Sequence, residues 1–70
     1  MRYEPALGFN TKQWWVYDND KQVWIDPPTE VLDSLPRDVD KAEDMLYDIL
    51  ELEPDWLNDE DYWYDGNMDI

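Results

Sequence analysis

The sequence predicts an α+β fold. A small antiparallel β-sheet, built on a hairpin at about 13–26, packs against one main amphipathic helix at about 38–53, and an acidic aromatic C-terminal segment closes the domain. Three observations predict it. Residues 13–26 hold two runs of aromatic and β-branched side chains separated by a polar turn, the pattern of a hairpin. Residues 39–50 repeat apolar side chains at helical spacing behind a capping aspartate, the pattern of a helix with one buried face. Five Trp, five Tyr and one Phe in 70 residues, each burying about 150–250 Å², supply a core to a chain whose charge would otherwise favour disorder.

A hairpin alone is marginal in water. A third strand is therefore expected within residues 2–10, or a helix across the aliphatic hairpin face. A loop of two residues (Asn19-Asp20) or four (Asp18 to Lys21) sets Tyr17 opposite Gln22, Val16 opposite Val23, Trp15 opposite Trp24 and Trp14 opposite Ile25. Alternation then gathers Trp14, Val16, Val23 and Ile25 on one face, the better core, and Trp15, Tyr17, Gln22 and Trp24 on the other. Pro27-Pro28 ends the second strand, and Thr29 to Leu35 forms a short helix that Pro36 stops. Asp38 then caps the main helix, where Val39, Ala42, Leu46, Ile49 and Leu50, with Met45 beside them, recur until Pro54. Beyond it Trp56, Leu57, Tyr62, Trp63 and Tyr64 lie among acids, with a further helical turn expected after Asn58 and ended near Gly66.

The length allows one small domain, residues 1–70. With no Cys and no His there is no disulfide framework, thiolate nucleophile, imidazole base or Cys-based zinc site. A carboxylate pair of the glycosidase kind needs a substrate cleft beside a core, which this length rarely supplies. The expectation is a protein that is not an enzyme and takes no cofactor. Asp18-Asn19-Asp20-Lys21-Gln22 begins like a calcium loop, but Val23 stands at its sixth position and Thr29 at its twelfth, so the EF-hand pattern fails. Asp59-Glu60-Asp61 and Asp65-Gly66-Asn67-Met68-Asp69 are expected to hold a divalent cation loosely at most.

Nineteen acids against five bases give a net charge of −14. Such a potential repels nucleic acid and anionic lipid and attracts basic protein surfaces. Neither direct nucleic-acid binding nor membrane binding is expected. No apolar run approaches the roughly 18–20 residues of a membrane span, and Met1-Arg2-Tyr3-Glu4-Pro5 lacks the apolar core of a signal peptide, so the expected location is the cytoplasm. The charge is also segregated. All five bases (Arg2, Lys12, Lys21, Arg37, Lys41) lie in residues 1–41, and none follows Lys41.

The main helix carries that segregation on one face. Asp40, Asp44, Asp48 and Glu51 step by four, four and three, so they form one row, with Glu43 and Tyr47 alongside. Like charges at these spacings destabilise a helix; a chain selected for stability alone would mix in lysines. From Asp38 to Asp61 there are 11 acids in 24 residues. Were the stretch largely helical, that is one charge per ~3.3 Å at about 1.5 Å per residue, against a phosphate every ~3.4 Å along one DNA strand. The acids expected to stand in for phosphates are Asp40, Asp44, Asp48 and Glu51, together with Asp55, Asp59, Glu60 and Asp61. Glu43, Tyr47 and Trp63 complete the expected partner-binding set, the two aromatics by stacking on guanidinium planes.

A short, strongly acidic, cysteine-free chain with such lopsided charge resembles the DNA-mimic inhibitors carried by phages and mobile elements: anti-CRISPR proteins, anti-restriction proteins and uracil-DNA glycosylase inhibitors. What the resemblance implies is a stoichiometric inhibitor, monomer or small homodimer, that occupies the basic groove of a nucleic-acid-binding host defence or repair protein or complex. Residues Trp15 to Pro28 are similar to the last two strands of a WW domain, without that family's first-strand Trp. That likeness implies a peptide platform of Tyr17 and Trp24, and an acidic adaptor binding through the aromatic hairpin face. An assembly component indifferent to charge is the third alternative.

Overall fold

The computed structural model describes residues 2–10 and 12–64. Four strands form one sheet in the order β1 (Tyr3–Leu7), β2 (Trp14–Asp18), β3 (Val23–Ile25) and β4 (Trp63–Tyr64), each antiparallel to its neighbour. Two α-helices, α1 (Thr29–Ser34) and α2 (Val39–Glu51), lie between β3 and β4 in the chain. The α+β architecture is thus the one the sequence patterns predict. The third strand expected within residues 2–10 is β1, and Pro5 is tolerated in it because β1 is an edge strand with one side unpaired.

The hairpin register differs from the expected one. Val16 pairs with Ile25, Tyr17 with Trp24 and Asp18 with Val23, two residues out of step with the Val16–Val23 pairing read from the sequence. The cause is Asp18. It closes a four-residue turn, Asn19 to Gln22, in which its carbonyl accepts the Gln22 N–H at 2.7 Å and its carboxylate accepts the Asp20 and Lys21 N–H groups at 3.0 and 3.2 Å. Gln22 takes a left-handed φ of 57° to complete the turn. Because the slip is an even number of residues, the faces keep their identity. Tyr3, Val16 and Ile25 still form the core face, joined by Leu50 from α2 and by Leu57, with Val23, Trp56, Tyr62 and Trp63 packed around them.

Asp18 itself is fully buried, and Arg2 grips it through Nε and Nη2, both at 3.2 Å. This pair ties the start of β1 to the end of β2, which are register partners at Tyr3 and Asp18.

Helix α1 follows the buried Pro27-Pro28 and ends at Leu35, whose extended backbone precedes Pro36. Helix α2 starts where the sequence places it: the Asp38 carboxylate accepts the Asp40 and Lys41 N–H groups at 3.0 and 3.3 Å. It buries Ala42, Leu46 and Leu50, one turn apart, and packs along β1. Its end is unusual. Glu53 adopts a φ of 49° just before Pro54, a left-handed position usually given to glycine.

After Pro54 the chain forms two 3₁₀ segments, Asp55–Asn58 and Glu60–Tyr62, the second capped by the Asp59 carboxylate on the Asp61 N–H at 3.0 Å. The second is the helical turn expected after Asn58, of 3₁₀ type; its expected end near Gly66 lies outside the described residues. The first sinks Leu57 fully into the core. The second delivers Trp63 and Tyr64 to the sheet, where they pair with Ile25 and Trp24. Among the described residues no helix is long and apolar enough to cross a membrane.

Two outcomes follow from these local geometries. Burial pushes the Asp18 pKa up, but the Arg2 guanidinium and the Lys21 and Asp20 N–H groups outweigh it and hold the group below its ordinary value. A carboxylate lowered in the folded state contributes its stability above an unfolded pKa of about 4 and loses it as pH falls through the folded value. Asp18→Asn is therefore less stable than wild type at pH 7, by about 1–2 kcal/mol, and urea midpoints of the two converge below about pH 4; a gap unchanged down to pH 2 would refute the role of the charge. Glu53→Gly relieves the left-handed backbone and raises the urea midpoint, worth about 0.5–1 kcal/mol.

Candidate functional site

Two surfaces meet on this molecule, and helix α2 contributes to both. On a helix of about 100° per residue, the buried side chains Ala42, Leu46 and Leu50 face nearly opposite to Asp40, Asp44, Asp48 and Glu51. All four acids are exposed, as is Glu43. Lys41 is the one basic residue of the helix, so five acids share 13 residues, or one per ~3.9 Å of axis.

Within residues 38–61 only Val39–Glu51 is α-helical. The single charged rod considered for residues 38–61 is instead a helix followed, beyond Pro54, by 3₁₀ turns that carry Asp55, Asp59, Glu60 and Asp61, all exposed. Of these, Asp59 also serves as the cap of the second turn. Among the described residues no group of three or more carboxylates converges as a metal site would. Asp65-Gly66-Asn67-Met68-Asp69, considered above as a loose cation loop, lies outside the described residues.

Three of the chain's five cations are engaged elsewhere. Arg2 holds Asp18 and reaches Asp20 at 3.4 Å, and the Asp18 bond raises its pKa above the ordinary value. Arg2 also lies over the Tyr3 ring at 4.9 Å, Lys12 over Phe9 at 5.4 Å and Lys21 over Trp63 at 4.2 Å. Trp63, placed in the partner-binding set by sequence, is half-buried; its indole N–H donates to the Leu57 carbonyl at 3.1 Å. Its ring therefore serves the packing of β4 and the seat of Lys21.

The second surface is a cleft of about 430 Å³ lined from both the sheet and α2. Tyr17 of β2 and Trp24 of β3 form its aromatic wall, paired across the strands with centroids 4.9 Å apart and planes at 61°. These are the two residues singled out by the WW-domain likeness, and the shifted register is what puts them directly opposite each other. Trp15 shares their face but is only 7 % exposed, set edge-on to Tyr64 at 6.2 Å, so it supports the wall from within. Tyr47 of α2 enters the same cleft, over a floor that includes Pro5 and Ala6 of β1.

Glu4 and Asn19 complete the rim. The Asn19 side-chain amide donates to Glu4 Oε2 at 3.3 Å and to the Arg2 carbonyl at 3.1 Å, and its backbone N–H donates to the same carbonyl at 2.8 Å. Sequence reasoning found Tyr17, Trp24 and Tyr47 but missed Glu4 and Asn19. Their only signal was position, one at strand phase with Tyr17 and one in the turn, and the pairing of Glu4 with Tyr17 is what makes it meaningful.

Compared with known protein families, curated proteins and solved structures, the chain matches none.

The row on α2 is a liability to the helix itself. Asp44→Lys replaces two repulsions, with Asp40 and Asp48, by two attractions at a spacing of four, and turns one attraction, to Lys41, into a repulsion. Thermal denaturation should show it more stable by about 0.4–1 kcal/mol, at low salt more than at high.

Proposed function

We propose that this protein is a stoichiometric inhibitor whose α2 face and following 3₁₀ turns imitate the charge of a nucleic-acid backbone and occupy the basic groove of a nucleic-acid-handling host protein, of the CRISPR, restriction or repair kind. The observation that carries the reading is the exposed row Asp40, Asp44, Asp48 and Glu51, opposite the buried face and relieved only by Lys41. The row costs the helix stability and does nothing for its packing. Its use lies in the field it projects. Long-range attraction would speed encounter with a cationic groove, and charge-assisted hydrogen bonds to Arg and Lys would hold the complex. The expected setting is the cytoplasm of a host cell, with no cofactor and no catalytic step.

The aromatic cleft favours a second reading, an adaptor that docks a peptide on Tyr17 and Trp24. The two readings part on which surface must be intact.

Reversing Asp40, Asp44, Asp48 and Glu51 to Lys takes the net charge from −14 to −6 and leaves the buried face of α2 untouched. Immobilised wild-type protein is expected to capture basic proteins from a bacterial lysate, to release them to duplex DNA added as competitor, and to lose them steeply as salt rises. The reversed protein, with an unchanged circular dichroism spectrum, is expected to capture none of them. Retention of the same partners by the reversed protein, or indifference to DNA, would overturn the mimicry and leave the adaptor.

A further inference from the structure

We infer that the cleft between the sheet and α2 is an arginine receptor: it takes one arginine side chain of the partner protein, its guanidinium stacked in the box of Tyr17, Trp24 and Tyr47 and paired with the Glu4 carboxylate. The inference rests on the preceding reading for the basic character of the partner, and it adds where and by what chemistry the partner is anchored.

Three aromatic side chains, all half-buried, line a cleft of about 430 Å³, within the roughly 300–1,000 Å³ that ligand sites occupy and ample for an arginine side chain. The Tyr17 and Trp24 rings meet edge to face with planes at 61°, so their contact takes up one face of one ring and leaves π-surface on the other. Such surface attracts cations. This chain already uses its rings that way: its own cation–π contacts take Arg2, Lys12 and Lys21 to Tyr3, Phe9 and Trp63, and none of those rings lines the cleft.

The rim selects the charge. Glu4 is exposed at the mouth and its carboxylate is tethered by Asn19, which is itself bound twice to the Arg2 carbonyl. A carboxylate held beside an aromatic wall matches a guanidinium, which is planar, weakly hydrated and able to stack and to pair at once. An ammonium would use the charge without the plane. A proline ring would use the wall without the carboxylate, and would gain nothing from a chain of net charge −14. The position also fits the proposed encounter. Tyr47 sits on α2 beside the acidic row, so a basic groove drawn to Asp40, Asp44 and Asp48 brings its neighbouring arginines to the cleft mouth.

The test uses the whole protein and three capped peptides: Gly-Arg-Gly, the same peptide with citrulline in place of arginine, and a tetraproline. Citrulline keeps the shape and removes the charge. In NMR titrations the arginine peptide is expected to shift the Trp24 indole N–H and the Tyr17 and Tyr47 ring signals, with at least fivefold tighter binding than the citrulline or proline peptide. Glu4→Gln, a conservative change at an exposed position, is expected to weaken arginine binding about fivefold without altering the rest of the spectrum. Equal binding of arginine and citrulline, tighter binding of tetraproline, or shifts confined to α2 would overturn the assignment. Failure here is distinct from failure of mimicry. Loss of partner capture on reversing the α2 acids, with no arginine in the cleft, removes only the receptor. Arginine in the cleft, with capture surviving the reversal, removes only the mimicry.

Discussion

The structure depends on one ion pair, between the half-exposed Arg2 and a buried carboxylate. Asp18 sits at the end of β2 with no solvent exposure, whereas the other described acids are all exposed. Burying a carboxylate is costly unless its lone pairs are filled, and here two N–H groups of the following turn and two nitrogens of Arg2 fill them. Each bond has a structural consequence. The backbone donors shape the turn from Asn19 to Gln22 and so place Val23, not Gln22, as the first partner across the hairpin. The guanidinium ties the first strand to the second and brings the Arg2 carbonyl within reach of Asn19. Tyr17 and Trp24 then face each other because the turn is this long, and Glu4 stands beside them because β1 is held in this register.

That arrangement also sorts the charge. Arg2 and Lys21 are drawn to the hairpin end, one by Asp18 and the other by the Trp63 ring, while α2 has Lys41 alone. The consequence is an anionic helix face next to a sheet whose cations are already engaged. Between the two lies the cleft, lined from both sides. The surfaces on which the mimic and adaptor proposals rest are therefore neighbours on one molecule.

The small core explains the rest of the economy. Tyr3, Val16, Ile25, Leu50 and Leu57 form its centre, and half-buried aromatics complete it. Trp56 and Trp63 are consumed in this way, Trp63 with its indole N–H bonded to the Leu57 carbonyl. Trp15 is buried behind Tyr64. Tyr17, Trp24 and Tyr47, also half-buried, instead line the cleft.

The elements that the sequence alone determined are those whose causes are local. Helix α2 begins behind Asp38 and ends before Pro54 because capping, apolar spacing of three and four, and proline sterics act within a few residues. The hairpin runs and their two faces were equally legible, since alternation survives any even shift of register. The third strand was legible from the marginal stability of a lone hairpin. The tertiary structure decided what joins distant residues: the Arg2–Asp18 pair across 16 positions, which set the register; the return of Trp63 and Tyr64 to β3; the insertion of Leu57; and the assembly of Glu4, Tyr17, Trp24 and Tyr47 into one cleft. No local propensity encodes these, because each depends on which of several chemically equivalent partners the folded chain brings within a few ångströms.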